Sequence, residues 1–180
     1  MNKNTVLATI GVIGALIALV ITIGMTTANG EINQNQSVLT AKANISKEEQ
    51  RRVDLFNNLV DSIKSYNNYE ADTQSKITDA RSKATNGNVD DAAKALSIVV
   101  ERYPELKSQK NYQQAMKEFS ITENRLSNYR EDYNSAVRNY NVYVSKFPKK
   151  QILNFLGVQP QRYEQLDFKV DNKKATNLFK

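Results

Sequence analysis

Residues Tyr112 to Phe147 read YQQAMKEFSITENRLSNYREDYNSAVRNYNVYVSKF. Bulky apolar or aromatic side chains recur at Tyr112, Met116, Phe119, Leu126, Tyr133, Val137, Tyr140, Val144 and Phe147, in steps that alternate four and three once Glu123 and Arg130 fill the two vacant places. Such a repeat is the seam of a long helix packed on partner helices. At 1.5 Å per residue the helix runs about 50 Å. Two opposite charges interrupt its apolar stripe, and each needs a partner from elsewhere in the chain.

Working outward from this helix, three more amphipathic segments precede it. The first, Val38 to Tyr66, carries a stripe of Val38, Lys42, Ile45, Glu49, Arg52, Phe56, Leu59, Ile63 and Tyr66, with a break expected at Asn67-Asn68. The second, Tyr69 to Thr85, places Thr73, Ile77, Ala80 and Ala84 on one face and ends at Asn86-Gly87-Asn88, where Gly and Asn suit a C-cap. The third, Val89 to Arg102, places Ala92, Ala93, Leu96, Val99 and Val100 inward and stops at Pro104. Short connections between such helices imply antiparallel neighbours, so the fold class read here is all-α, an antiparallel up-and-down four-helix bundle.

One transmembrane helix precedes the bundle. No charge occurs from Asn4 to Gly30, and Val6 to Met25 is mostly Leu, Ile, Val, Ala and Gly. About 20 apolar residues span a bilayer, whereas a cleaved signal has an apolar run of roughly 7–15. A retained single-pass anchor at 6–25 is therefore expected, after a short N-terminal segment at 1–5. Residues 26–37 read as a linker or frayed helix start, 38–158 as the bundle, and 159–180 as a basic, partly disordered tail. Ile152, Leu153, Phe155, Leu156 and Val158 read as a hook that packs on the bundle.

Composition excludes several kinds of chemistry. The 180 residues contain no Cys and no His, which removes disulfides, thiolate and histidine catalysis, and histidine- or cysteine-ligated metals. Six Gly and three Pro are too few for a turn-rich β-sandwich. The net charge is +6, but from Lys146 onward eight Lys/Arg face three acids, so the bundle itself is near neutral and shows no nucleic-acid-binding face.

Several segments together resemble the LemA family. Arg51-Arg52-Val53-Asp54-Leu55, followed by Asn58-Leu59-Val60, is similar to the family's R-R-x-D-L-x-x-N-L-V. Tyr103-Pro104 with Leu106-Lys107 resembles Y-P-x-L-K, and Thr122-Glu123-Asn124-Arg125 resembles T-E-N-R. Arg130, Tyr133-Asn134, Val137 and Tyr140-Asn141 resemble R-x-x-Y-N-x-x-V-x-x-Y-N, while Phe147-Pro148 and Leu156-Gly157-Val158 fit its closing elements. Order and spacing agree from about residue 45 to 158. The resemblance implies one N-terminal transmembrane helix, a helical bundle and a bacterial cell-membrane location, with no established catalytic activity.

Two clusters stand out as candidate sites. In an antiparallel register in which paired numbers sum to about 175, Arg52 faces Glu123, Phe56 faces Phe119, Leu59 faces Met116 and Ile63 faces Tyr112, with Glu49 within a turn of Arg130. Glu49, Arg52, Glu123 and Arg130 then form a layered ionic cluster that sets register. Tyr129, Tyr133, Tyr140 and Tyr143 form a candidate docking patch, or else core tyrosines whose hydroxyls reach a polar partner. No cofactor and no metal site is expected. The reading is a membrane-tethered, non-catalytic interaction or scaffold module whose partners are the lipid bilayer and other membrane or envelope proteins, with self-association as a further option. The alternative is an enzyme using carboxylate and Arg chemistry in a pocket of the bundle.

Overall fold

The computed structural model describes residues 3–64 and 71–167. The described residues form helices α1 (Lys3–Lys64), α2 (Ala71–Thr85), α3 (Val89–Arg102), α4 (Lys110–Ser145) and α5 (Lys149–Phe155), with a 3₁₀ turn at Pro104–Ser108 and no strand among them. The protein is all-α. The expected break at Asn67-Asn68 and the chain beyond Asp167 lie outside the described residues.

Residues 26–37, read from sequence as a linker or frayed start, are helical throughout. No proline precedes Pro104, Gln is a good helix former, and isolated glycines cost only about 1 kcal/mol each, so nothing local stops α1. The polar look of this stretch has a different origin. Gly24, Thr27, Glu31, Val38, Ala41, Ile45 and Glu48 are all buried, so the three-four seam continues through it with polar residues in seam places. Higher up, the hydroxyls of Thr9, Thr22 and Thr26 donate to carbonyls four residues back, which satisfies them within the apolar run.

Contacts divide the chain into two compact units. The second is built on Ala43–Glu131. Its core joins Phe56, Leu59, Val60 and Ile63 of α1, Ile77, Ala80 and Ala84 of α2, Ala92, Leu96, Val99 and Val100 of α3, and Tyr112 and Phe119 of α4. Each fully buried Leu, Ile or Phe contributes about 1.5–3 kcal/mol through removal from water. Phe56 and Phe119 meet edge to face with centroids 6.3 Å apart. The inward faces of α2 and α3 are those the helical spacing predicts. Their connection is a Schellman turn: Asn88 N–H donates to the Lys83 carbonyl and Gly87 N–H to the Ala84 carbonyl, with Gly87 at φ +83°.

The seam differs by one position from its sequence reading at several turns. Ala41 and Glu48 are buried where Lys42 and Glu49 were expected, and Thr122 is buried beside a half-buried Glu123. A 3.6-residue helix drifts against a 3.5-residue repeat, so the inward place passes to a neighbour. Ala41 and Thr122 bring a small or uncharged side chain inward and leave Lys42 and Glu123 on the shoulders of the seam, whereas Glu48 turns a carboxylate inward in place of Glu49.

The first unit is built on Met1–Lys42 with Asp132–Leu166. Here Val38, Tyr133, Val137, Tyr140 and Leu153 are buried. Beyond α5, Gly157 turns the chain at φ +73°, and residues up to 167 continue without regular structure.

Candidate functional site

In the second unit Arg52 is the hub of the charge cluster. Its Nε donates to Glu123 and its Nη2 to Asp90, while its guanidinium carbon lies 5.8 Å from the centre of the Phe119 ring. The Arg52 side chain is only 14% exposed. Burial opposes its charge, but the bonds and fields of Asp90 and Glu123 outweigh it and raise its pKa above the ordinary arginine value. Arg130 Nη2 reaches Glu49 Oε1 at 3.6 Å, in a more exposed pair. The four charges singled out in the sequence are thus held as two pairs. Glu49–Arg130, Arg52–Glu123 and Phe56–Phe119 run in opposite directions along α1 and α4, so these segments are antiparallel within the unit.

Sequence reasoning missed Asp90 and Glu48. The signal for Asp90 was available: Asp90-Asp91 fills the first turn of α3, where acids are favoured, and faces any cation brought close. Glu48 is 4% exposed, and its Oε1 has no hydrogen-bond partner among the described residues. No group of three or more His, Cys, Asp or Glu among the described residues could hold a metal ion.

The four tyrosines separate. Tyr129 lies half-buried in the second unit. The other three belong to the first unit, and each hydroxyl is engaged there. Tyr140 donates to Glu31 Oε1 at 2.8 Å, Tyr143 to the Thr27 carbonyl at 3.1 Å, and Tyr133 to the Glu164 carbonyl at 3.4 Å. Burial, reinforced by the bond to Glu31, raises the Tyr140 pKa well above that of a free phenol. Tyr143 passes so close to α1 that a Cβ at Gly30 would overlap its hydroxyl, so any larger residue at that turn has to displace the tyrosine ring.

Asn134 and Asn141 form the least anticipated feature of the first unit. Asn141 Nδ2 donates to the Tyr163 carbonyl at 2.8 Å, and Tyr163 N–H donates back to Asn141 Oδ1 at 3.4 Å. Asn134 repeats the pattern on Leu166, at 2.9 and 2.7 Å. Each side-chain amide therefore pairs with one residue's backbone as a neighbouring strand would. The spacing explains the fit. Seven residues of helix rise about 10.5 Å, and three residues of extended chain cover roughly 10 Å. Tyr163 adds an edge-to-face contact with Tyr140 at 5.2 Å and a bond from its hydroxyl to Asn35. The Tyr-Asn pair repeated at 133–134 and 140–141 was the sequence signal, but composition alone did not say that the amides read backbone.

A third feature of the first unit is an apolar pocket of about 390 Å³ lined by Ile21, Gly24, Met25, Ala28, Leu156 and Val158. No acidic or basic side chain lines it.

The fold and these sites define an all-α protein in which, among the described residues, one helix, α1, is long and apolar enough to cross a membrane. Comparison with known proteins gives the family. The LemA family profile matches residues 41–177, and the chain belongs to the LemA family. It is 32% identical over 130 residues to Protein LemA of Metamycoplasma hominis, covering 66% of this chain and 56% of that protein. It is 33% identical over 79 residues to the magnetosome proteins MamQ 1 and MamQ 2 of Paramagnetospirillum magneticum, covering 44% of this chain and 29% of each of them. The matched segment thus spans about half of Protein LemA and under a third of the MamQ proteins.

Proposed function

We propose that this chain is a single-pass, membrane-tethered protein of the bacterial cell membrane that works as a non-catalytic interaction or scaffold module. The anchor is Val6–Met25, and the docking body is an antiparallel four-helix bundle made from the second half of α1, α2, α3 and α4. The observation that carries this reading is the pairing of the seam charges. Glu123 is neutralised by Arg52 and Glu49 by Arg130, so these acids act as register and orientation locks and not as a general acid and base. Further support comes from the relatives: one helical segment recurs in a protein named LemA and in two magnetosome proteins, which fits a structural module reused in different settings. The partners are other membrane or envelope proteins, or further copies of the chain.

The enzyme reading rests on Glu48, a buried carboxylate with one oxygen lacking a partner among the described residues. It requires a second acid in a different environment beside Glu48, and the seam acids Glu49 and Glu123 are engaged by Arg130 and Arg52.

The test is photocrosslinking in the native membrane from Tyr129 or from the exposed Ile121. Reproducible capture of one membrane or envelope protein is the expected result. Capture of neighbouring copies alone redirects the reading to a self-assembling scaffold. Turnover of a small molecule by the purified chain that Glu48→Gln abolishes overturns it in favour of the enzyme.

A further inference from the structure

The segment from Lys146 to Leu156 is out of keeping with a water-facing hook. Phe147 is 76% exposed and Phe155 88%, and Leu156 is also exposed. A side chain of that size left in water forgoes about 1.5–3 kcal/mol of burial, and three within ten residues make a patch that wants an apolar partner.

Position within the first unit says what that partner is. The Leu156 methyls lie 3.8–3.9 Å from the point a Cβ on Gly24 would occupy, and Leu156 and Val158 line one pocket with Ile21, Met25 and Ala28. Gly24 is in the last turn of the apolar stretch Val6–Met25, which at 1.5 Å per residue covers about the 30 Å of a hydrocarbon core. The end of α5 is therefore level with the boundary where the span leaves the lipid. Phe and Leu of a segment lying at that boundary bury themselves at the headgroup–acyl level, and lysines beside it keep their charge among headgroups.

The charge distribution agrees. From Tyr133 to Tyr163 the sequence has five Lys/Arg and no Asp or Glu. Three of them, Lys146, Lys149 and Lys150, flank Phe147 and begin α5. Lys149 Nζ sits 3.4 Å from the centre of the Tyr143 ring, which orients one of these cations on the same side chain that packs against Gly30.

We propose that the hook is a second membrane contact. Phe147, Phe155 and Leu156 enter the bilayer interface beside the end of the span, and Lys146, Lys149 and Lys150 engage anionic lipid headgroups. The proposal rests on the membrane-anchor reading and adds to it. The tether is a foot as well as a stalk, and it restrains the tilt of the first unit against the bilayer plane.

The chain contains no Trp, so one introduced Trp reports alone. The full chain is reconstituted in phosphatidylcholine vesicles with or without phosphatidylglycerol, each carrying doxyl-labelled lipid. The Phe155→Trp variant is expected to show blue-shifted emission and quenching by a label near the headgroup, more strongly in the anionic vesicles. An Ile98→Trp variant, on an exposed face of α3, supplies the unquenched reference. Leu16→Trp reports the anchor and is quenched by a label deep in the acyl chain.

On the Phe155→Trp background, changing Lys146, Lys149 and Lys150 to Gln lowers the inserted-to-free ratio in anionic vesicles by on the order of a hundredfold at low salt, about fivefold for each lysine. Quenching at position 16 without quenching at 155 overturns the foot and leaves the anchor standing. Absence of both overturns both. Equal quenching in neutral and anionic vesicles, unchanged by the lysine substitutions, overturns the assignment of the headgroups.

Discussion

In the second unit the helices meet through packed aliphatic side chains and an edge-to-face pair of phenylalanines, with ion pairs at the shoulder. In the first unit they meet through tyrosine hydroxyls and one buried carboxylate, while asparagine amides of α4 hold the extended segment at 163–166. The same two helices, α1 and α4, take part in both. Between Thr26 and Ser37, α1 offers Ile32 as its only large aliphatic side chain, and Ile32 is exposed. Few apolar groups remain to bury there, so α4 supplies long side chains that carry a polar tip across to the α1 backbone. Apolar packing contributes more energy and tolerates rearrangement, whereas directed hydrogen bonds contribute less and specify one geometry.

The largest effect expected is at Phe119→Ala, which leaves a cavity under Phe56 and costs about 3–5 kcal/mol. Native-state hydrogen exchange should show lost protection in 43–131 first. Equal loss over Asp132–Leu166 would break the distinction between the units.

Arg52→Ala comes next, at about 3 kcal/mol, because it strands Glu123 in a half-buried place and removes the bond to Asp90. Replacing Arg52 by Met and Glu123 by Leu together should recover most of that loss in denaturant titration. A double variant as unstable as the single one would show that the pair does more than set register.

Tyr140→Phe removes the hydrogen bond to Glu31 and should cost about 2 kcal/mol. It also carries a pH signature. Burial and the Glu31 bond raise the Tyr140 pKa, so the folded state keeps this proton where the unfolded chain has lost it. The associated stability is fully present below about pH 10, the unfolded phenol value, and is lost as pH rises beyond it. Thermal unfolding of the wild type should weaken across that window more steeply than that of Tyr140→Phe.

The smallest effect belongs to the asparagines. Asn134→Ala and Asn141→Ala should each cost about 1 kcal/mol of docking for residues 163–166. Tryptic cleavage after Arg162 should then speed up several-fold while the second unit keeps its stability. Unchanged cleavage would mean that Tyr163 alone holds the segment.

Much of the fold was legible in the residues themselves. The three-four spacing from Tyr112 to Tyr140 is a property of side-chain size along the chain, and helix geometry converts it directly into a seam; Phe147, read as its last member, lies past the end of α4 at Ser145 and is exposed. Gly87 between two asparagines announces its turn in the same way. The buried faces of α2 and α3 follow from spacing for the same reason, as does the run of uncharged residues long enough to cross a bilayer.

Other features depended on what stands opposite. Spacing alone could not choose between Glu48 and Glu49, or between Thr122 and Glu123, because neighbouring positions on a drifting helix differ in burial only once a partner surface exists. Asp90 joined Arg52 for a tertiary reason: the α2–α3 turn decides where the first turn of α3 comes to rest. Residues 26–37 looked like a linker because their polarity is read against water, whereas in the structure the Glu31 carboxylate and the Thr27 carbonyl accept hydrogen bonds from Tyr140 and Tyr143. The sequence by itself determined the helices and their apolar faces, since those depend on local periodicity. Only the tertiary structure decided which polar groups are partners, because a hydrogen bond or ion pair exists only when two distant parts of the chain arrive within about 3 Å of each other.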